Sequence, residues 1–343
     1  MASRFAHALV VGPLGVLAVV HVARADETPL LVAGGAIESA GLTVAPIVAL
    51  RVPFAETDRL TVSQIGWTSG ARLDVAQSKN ATWTSLVAVT PVRAHMSHDV
   101  FDADGNETPA AEFDDTALRV TTGESWAFPH FGVLARAVVG KEWVSGLPAS
   151  VAQPFGVPFG GGEAAIIVEL LRAEDPLDSR IDGLRATLRG EALIGNQAWG
   201  DADFALSMGR RLGPLFARFD ADAFYVSLDN TVTDYLVGGS WDILGGSALV
   251  GHPIGAFRVQ RGVAGTAGLD VQTVGPMEIG IRGSALAGTP VVHDGVALLA
   301  LGRVEGVHFF VGAGSPDGGV FRGDLSKTSV FGGLTGAFFF LPP

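Results

Sequence analysis

Residues 184–192 read Leu-Arg-Ala-Thr-Leu-Arg-Gly-Glu-Ala, with Arg185, Thr187, Arg189 and Glu191 at alternate positions between Leu184, Ala186, Leu188, Gly190 and Ala192. A two-residue period marks a β-strand, because successive side chains leave an extended backbone on opposite faces. One face of this strand wants water and the other wants hydrocarbon. The alternation returns downstream, where Asp201, Asp203, Ala205 and Ser207 interleave with Ala202, Phe204, Leu206 and Met208. It returns again where Arg218, Asp220 and Asp222 interleave with Ala217, Phe219, Ala221 and Ala223. Gly213-Pro214 stops a strand between the last two runs and turns the chain, which is a hairpin signal.

Working outward, Met277, Ile279, Ile281 and Ala285 stand opposite Glu278, Arg282 and Ser284, and a further strand is expected over 291–303. Turn signals at Asp229-Asn230, Gly238-Gly239, 288–290 and 316–319 break or bend these runs. Such spacing favours an antiparallel meander over a βαβ arrangement. Towards the N-terminus, residues 41–51, 59–67, 82–96 and 131–139 also read as strands. Two long insertions interrupt them, an acidic one over 98–115 and one rich in Pro and Gly over 146–162. The expectation is about twelve strands, roughly 10 to 14, with long loops on one side and short turns on the other.

Hydrophobic residues make up 48% of the chain and charged residues only 17%, against about 25% in soluble domains. After residue 25 no apolar run approaches the ~20 residues of a membrane-spanning helix, which excludes a helical membrane protein. High apolarity without long apolar runs is what alternating strands give when their outer face meets lipid. The 46 glycines suit strands and turns better than helices. With no cysteine, stability has to come from burial or from closing the sheet on itself. The six tryptophans mostly fall near expected strand ends, as in interfacial girdles.

Residues 1–25 read as a cleaved secretion signal: Arg4 gives a basic start, an apolar stretch runs over 8–22, and Ala23-Arg24-Ala25 has the form of a cleavage site. Removing them takes away Arg4 and Arg24 and leaves 21 basic against 35 acidic side chains, a net charge of −14. That charge argues against nucleic acid as a partner. The remaining chain, 26–343, is expected to be one barrel.

In such a barrel the polar faces line the lumen. The expected lining is Arg93, His95, Ser97, Arg185, Arg189, Glu191, Asp201, Asp203, Arg218, Asp220, Asp222, Glu278 and Arg282. Isolated charges buried in a dry interior are costly, so these must pair across strands or be hydrated. The lumen is then either plugged by ion pairs or the wall of a small aqueous pore. At about twelve strands, side chains fill most of the bore and passage is restricted to small solutes.

The densest polar cluster is Arg93-Ala94-His95-Met96-Ser97-His98-Asp99. Its H-x-S step resembles that of outer-membrane phospholipases and lipid A deacylases, which implies His95 as general base and Ser97 as nucleophile. Those enzymes place the pair on the lipid-facing side. Here Leu86, Ala88, Val92, Ala94 and Met96 form the apolar face, so His95 and Ser97 point into the lumen unless a β-bulge reverses the parity. No catalytic activity is required by the sequence. The loop beyond carries Asp102, Asp104 and Asn106 at alternate positions, as calcium loops do. An EF-hand needs glycine at its sixth position and glutamate at its twelfth, and Glu107 and Phe113 stand there. A solvated acidic loop is the expectation, with no metal and no cofactor.

Two resemblances point to a bacterial outer-membrane β-barrel protein. The last strand, expected over 330–341 and ending in Phe338-Phe339-Phe340, resembles the C-terminal strand that such proteins present to their assembly machinery, although Pro342 and Pro343 follow it. The 93–99 stretch is similar to an uncharacterised outer-membrane family carrying H-x-S-S-H-x-x-D-E. His95, Ser97, His98 and Asp99 are the matching positions, with one serine absent and a different spacing to the acid. These resemblances imply a porin-like barrel in the outer membrane of a Gram-negative bacterium. Its partners would be outer-membrane lipid, the barrel assembly machinery and small solutes. Two alternatives stay open: a lipid hydrolase using His95 and Ser97, and a soluble secreted β-sandwich binding protein.

Overall fold

Alternating strands leave one greasy and one ionic face, and here that conflict is resolved by closing the sheet. A computed structural model describes residues 30–39, 43–53, 58–65, 68–90, 96–98, 113–146, 157–174, 181–228, 235–239, 249–252, 256–288, 292–304, 307–323 and 326–339. Its first twelve strands are β1 (Leu30–Glu38), β2 (Thr43–Pro53), β3 (Arg59–Ile65), β4 (Thr68–Ala76), β5 (Ala81–Thr90), β6 (Met96–His98), β7 (Phe113–Ala127), β8 (Phe131–Ser145), β9 (Phe159–Glu174), β10 (Ile181–Ile194), β11 (Ala198–Leu212) and β12 (Leu215–Val226). There follow β13 (Tyr235–Val237), β14 (Phe257–Val259), β15 (Arg261–Gln272), β16 (Met277–Gly288), β17 (Val292–Val304), β18 (Val307–Ser315) and β19 (Ser329–Phe339).

Each ring strand pairs antiparallel with the next, β5 passing to β7 and β12 to β15. The circuit closes where β19 returns to β1, with Leu30 opposite Phe339 and Glu38 opposite Phe331. The ring holds 16 strands, not the expected twelve or so. Strand β6 lies on β7 beyond the end of β5, and β13 with β14 forms a separate two-stranded sheet. Ring closure overturns the sandwich alternative, because there are no two stacked sheets.

The undercount has a physical cause. Strands β1, β4, β7, β9, β15 and β18 were not separated by the alternation. In β1, β15 and β18 small or apolar residues occupy both faces, as in Leu30-Leu31-Val32-Ala33-Gly34, so the two-residue period is faint. Part of β9 lies inside the stretch expected to be the 146–162 loop. Of the strand expected over 82–96, the described residues form β5 up to Thr90 and the start of β6 at Met96.

Large apolar side chains point away from the ring and are exposed, including Val62, Leu188, Phe204, Phe219 and Ile281. Their neighbours in sequence, such as Thr61, Arg189 and Arg282, face inward and are buried. This is the reverse of a water-soluble sheet. No helix among the described residues is long and apolar enough to cross a membrane, which says nothing of strands. The two ends of the ring differ. Leu30 and Phe339 lie at the end where strands are joined by tight turns such as Gly213-Pro214. The longer connections, 91–112, 146–158, 227–260 and 316–328, all leave from the opposite end, the last containing the one-turn helix α1 (Gly319–Arg322).

Candidate functional site

Sixteen strands enclose a bore too wide for wall side chains alone to fill. Part of that space is taken by the 227–260 connection, whose described pieces fold into the ring. Val237, Leu249, Ala256, Phe257 and Val259 are buried against Phe224, Ala264 and Leu286 on the inner faces of β12, β15 and β16. Tyr235 stacks on Phe224 with centroids 4.3 Å apart. Burial raises the Tyr235 phenol above its usual range, with Asp222 adding to the effect, so its hydroxyl stays protonated and can donate.

The insertion is clamped on two opposite sides of the ring. On one, Phe257 stacks on His293 of β17 at 4.1 Å, and His252 meets both rings edge-on while its Nε2 lies 2.9 Å from the Asp294 carbonyl. The Val250 N–H donates to Ser284 Oγ at 2.9 Å. On the other side, Arg258 lies over the Phe113 ring of β7 at 5.3 Å. Strands β7 and β17 are half a circuit apart, so the insertion crosses the bore near the long-loop end.

Two glycines make the seat possible. A Cβ on Gly295 of β17 would stand 1.8 Å from the Val250 carbonyl oxygen. Gly251 has φ +86 and its backbone lies against Ser315, so a side chain there is excluded by conformation and by space. A Gly295→Val substitution is therefore expected to expel the insertion while leaving the ring paired. Limited proteolysis should then cut within 227–260 faster than in the wild type, whereas an unchanged cleavage pattern would show that the insertion is held elsewhere.

Below the insertion the wall is ionic. Glu163 of β9, Glu191 of β10 and Asp201 of β11 stand directly opposite one another across three strands, an arrangement of like charges that is unstable without cations. The cations come from both sides. Arg136 of β8 faces Glu163 in register. Arg119 reaches from β7 to ion-pair with Glu191. Arg189, one step along β10, lies 2.7 Å from Asp203, 3.4 Å from Asp201 and 4.0 Å from Glu163. Arg185 pairs with Glu169 at 2.6 Å, and Arg218 with Asp220 at 2.6 Å. Arg282 binds both oxygens of Asp270, at 2.6 and 2.9 Å, over the open floor left by Gly268 and Gly280. Arg211 reaches Glu278 at 3.3 Å. Above the acidic row, Val138, Phe159, Leu193, Trp199 and Val226 make an apolar layer, which places Trp199 inside the ring and away from any girdle.

The ionic residues singled out from 185 onward thus come together in pairs on the inner face, Asp222 among them on β12. The sequence reading did not single out Arg119, Arg136, Glu163, Glu169 and Asp270, which complete the network, nor the insertion itself. Arg93, His95, Asp102, Asp104 and Asn106 lie outside the described residues, as do residues 99–112 of the loop expected over 98–115 and 147–156 of the loop expected over 146–162. Ser97 lies in β6. No group of three or more His, Asp or Glu suited to a metal occurs among the described residues.

A closed antiparallel barrel with an outward apolar face and an ionic, partly filled bore defines a class of architecture, and the comparisons agree with it. No family model and no curated protein matches the chain. Solved structures do. CdiB from Acinetobacter baumannii superposes with a TM-score of 0.60 at 8% identity, over 91% of this chain and 60% of that one. BamA from Haemophilus ducreyi lacking POTRA domains 1–3 gives 0.62 at 8% identity, over 91% and 71%. CdiB from Escherichia coli gives 0.59 at 10% identity, over 92% and 64%. The chain spans less than two thirds of either CdiB chain, and at such identities the likeness is one of fold.

Proposed function

We propose that this protein is an outer-membrane barrel that acts as a restricted channel for small solutes. One observation carries the reading: the ring is wide enough for an aqueous bore, its inner wall is charged, and among the described residues an insertion from one connection is what stands across it. The exposed apolar side chains around the outside support a lipid environment, since a soluble protein rarely exposes such a surface. The fold likeness to CdiB and BamA is in keeping with this. So are a cleaved signal over 1–25, insertion by the barrel assembly machinery through β19, and the absence of a required catalytic residue, all carried forward from the sequence.

The test is conductance. The full chain, purified from the outer-membrane fraction and placed in planar bilayers, should give small, reproducible current steps. Recovery in the soluble periplasmic fraction would end the membrane reading, and membrane-bound protein that never conducts would end the channel reading.

A further inference from the structure

The insertion leaves one side of the bore less filled than the other, and the charges differ between the two sides. Val250 and Gly251 of the insertion cover the long-loop halves of β18 and β19, at Phe310, Ser315 and Phe331, and we propose that the open path runs along β1–β4 and the turn-end halves of β18 and β19 and prefers anions, that is, small carboxylates, phosphates or halides. This rests on the channel reading and names its solute class.

Space comes first. On these strands the inward positions are often small, as at Gly34, Ser63, Gly70, Gly333 and Thr335, and all five are partly exposed. On the opposite side the inward Val138, Leu193, Asp270, Ser284 and Leu286 are buried under the insertion or within the ion-pair network. Water therefore reaches the first set of positions and is excluded from the second. Towards the middle of the wall the division is weaker, with Thr61 and Arg72 buried on the first side and Thr187, Ala205 and Ser207 partly exposed on the other.

Charge follows the same division. Arg51 of β2, Arg59 of β3 and Arg303 of β17 face inward on or beside the open side, with His308 of β18 opposite Arg303 in register. Arg72 of β4 is there too, 2.8 Å from Asp74. The carboxylates on this side among the described residues are Asp74, Asp58, which accepts the Ala76 N–H at 3.1 Å, and Glu38 at the β1 register position opposite the inward Phe331, fewer than the guanidinium groups. Across the bore, carboxylates outnumber guanidinium groups, the Glu163–Glu191–Asp201 row being the densest part. A wall whose open side is cationic raises the local concentration of anions there. The whole chain is acidic, net −12, so this preference has to originate in the wall.

The chain contains no cysteine, so single cysteines can report local charge whether or not the barrel conducts. Ser63→Cys lies diagonal to Arg51 and Arg72, Thr335→Cys faces His308, and Ala205→Cys on β11 lies between Asp203 and the register partner Asp222. Each variant of the full chain, in lipid vesicles, would be reacted with an anionic and a cationic methanethiosulfonate reagent of similar size. The anionic-to-cationic rate ratio should be about tenfold higher at 63 and 335 than at 205. Adding Arg51→Ala, Arg59→Ala and Arg303→Ala should bring the ratios at 63 and 335 down towards that at 205. Equal ratios at the three positions, faster cationic reaction at 63 and 335, or no reaction there at all would overturn the proposal. Expected ratios in a barrel that never conducts would leave the anionic path standing and remove only the channel.

Discussion

Replacing residues 229–259 by a short Gly-Ser linker should raise single-channel conductance several-fold while the barrel still migrates as a folded, heat-modifiable species. The insertion crosses the bore from His293 on β17 to Phe113 on β7. Its contacts are with the inner faces of β7, β12 and β15–β19, and the ring's strand-to-strand hydrogen bonds do not run through it. Removing it exposes the buried faces of Phe224, Ala264 and Leu286 to water, which costs some stability without unpairing a strand. Conductance equal to wild type in a folded barrel would mean that current takes a route the insertion does not obstruct, and the plug role would be lost.

Arg189→Ala is expected to be the most destabilising single substitution in the wall. Arg189 is buried and lies within 4.0 Å of Asp203, Asp201 and Glu163. Truncation leaves several carboxylates close together with fewer cations, and breaking a buried ion pair by removing one partner typically costs about 3–5 kcal/mol. Denaturant unfolding in lipid vesicles should show that loss. A second substitution decides the cause: Asp203→Asn in the Arg189→Ala background should restore part of the stability, because it removes one of the charges left without a partner. If the double variant is no more stable than the single one, packing and not charge is what Arg189 contributes.

Much of the wall was legible in the sequence, and the reason is electrostatic. A charged or polar residue at every second position, as in Arg185-Thr187-Arg189-Glu191, marks a face that cannot lie against lipid or in an apolar layer, so that face is assigned without knowledge of the neighbours. Pairing partners such as Arg119 and Glu163 were less visible, because the nearest charges on their own strands stand several residues away and the alternation around them is weak, as in Gly160-Gly161-Gly162-Glu163-Ala164-Ala165. The insertion was missed for a different reason. Its pieces, Tyr235–Val237 and Phe257–Val259, are as short and apolar as fragments of ordinary wall strands. The pressure to fill the bore becomes apparent only once the ring size is known. An expected twelve strands made the side chains themselves sufficient; 16 do not.

The pairing of Leu30 with Phe339 brings together residues from nearly opposite ends of the chain. That junction is formed by a segment made after the crossing piece at 227–260 has already been synthesised. A loop anchored at both ends to neighbouring staves is drawn inside most easily while the hoop is still open. Housing the crossing piece before the hoop is shut is therefore the easier sequence, an order in time that no single contact imposes.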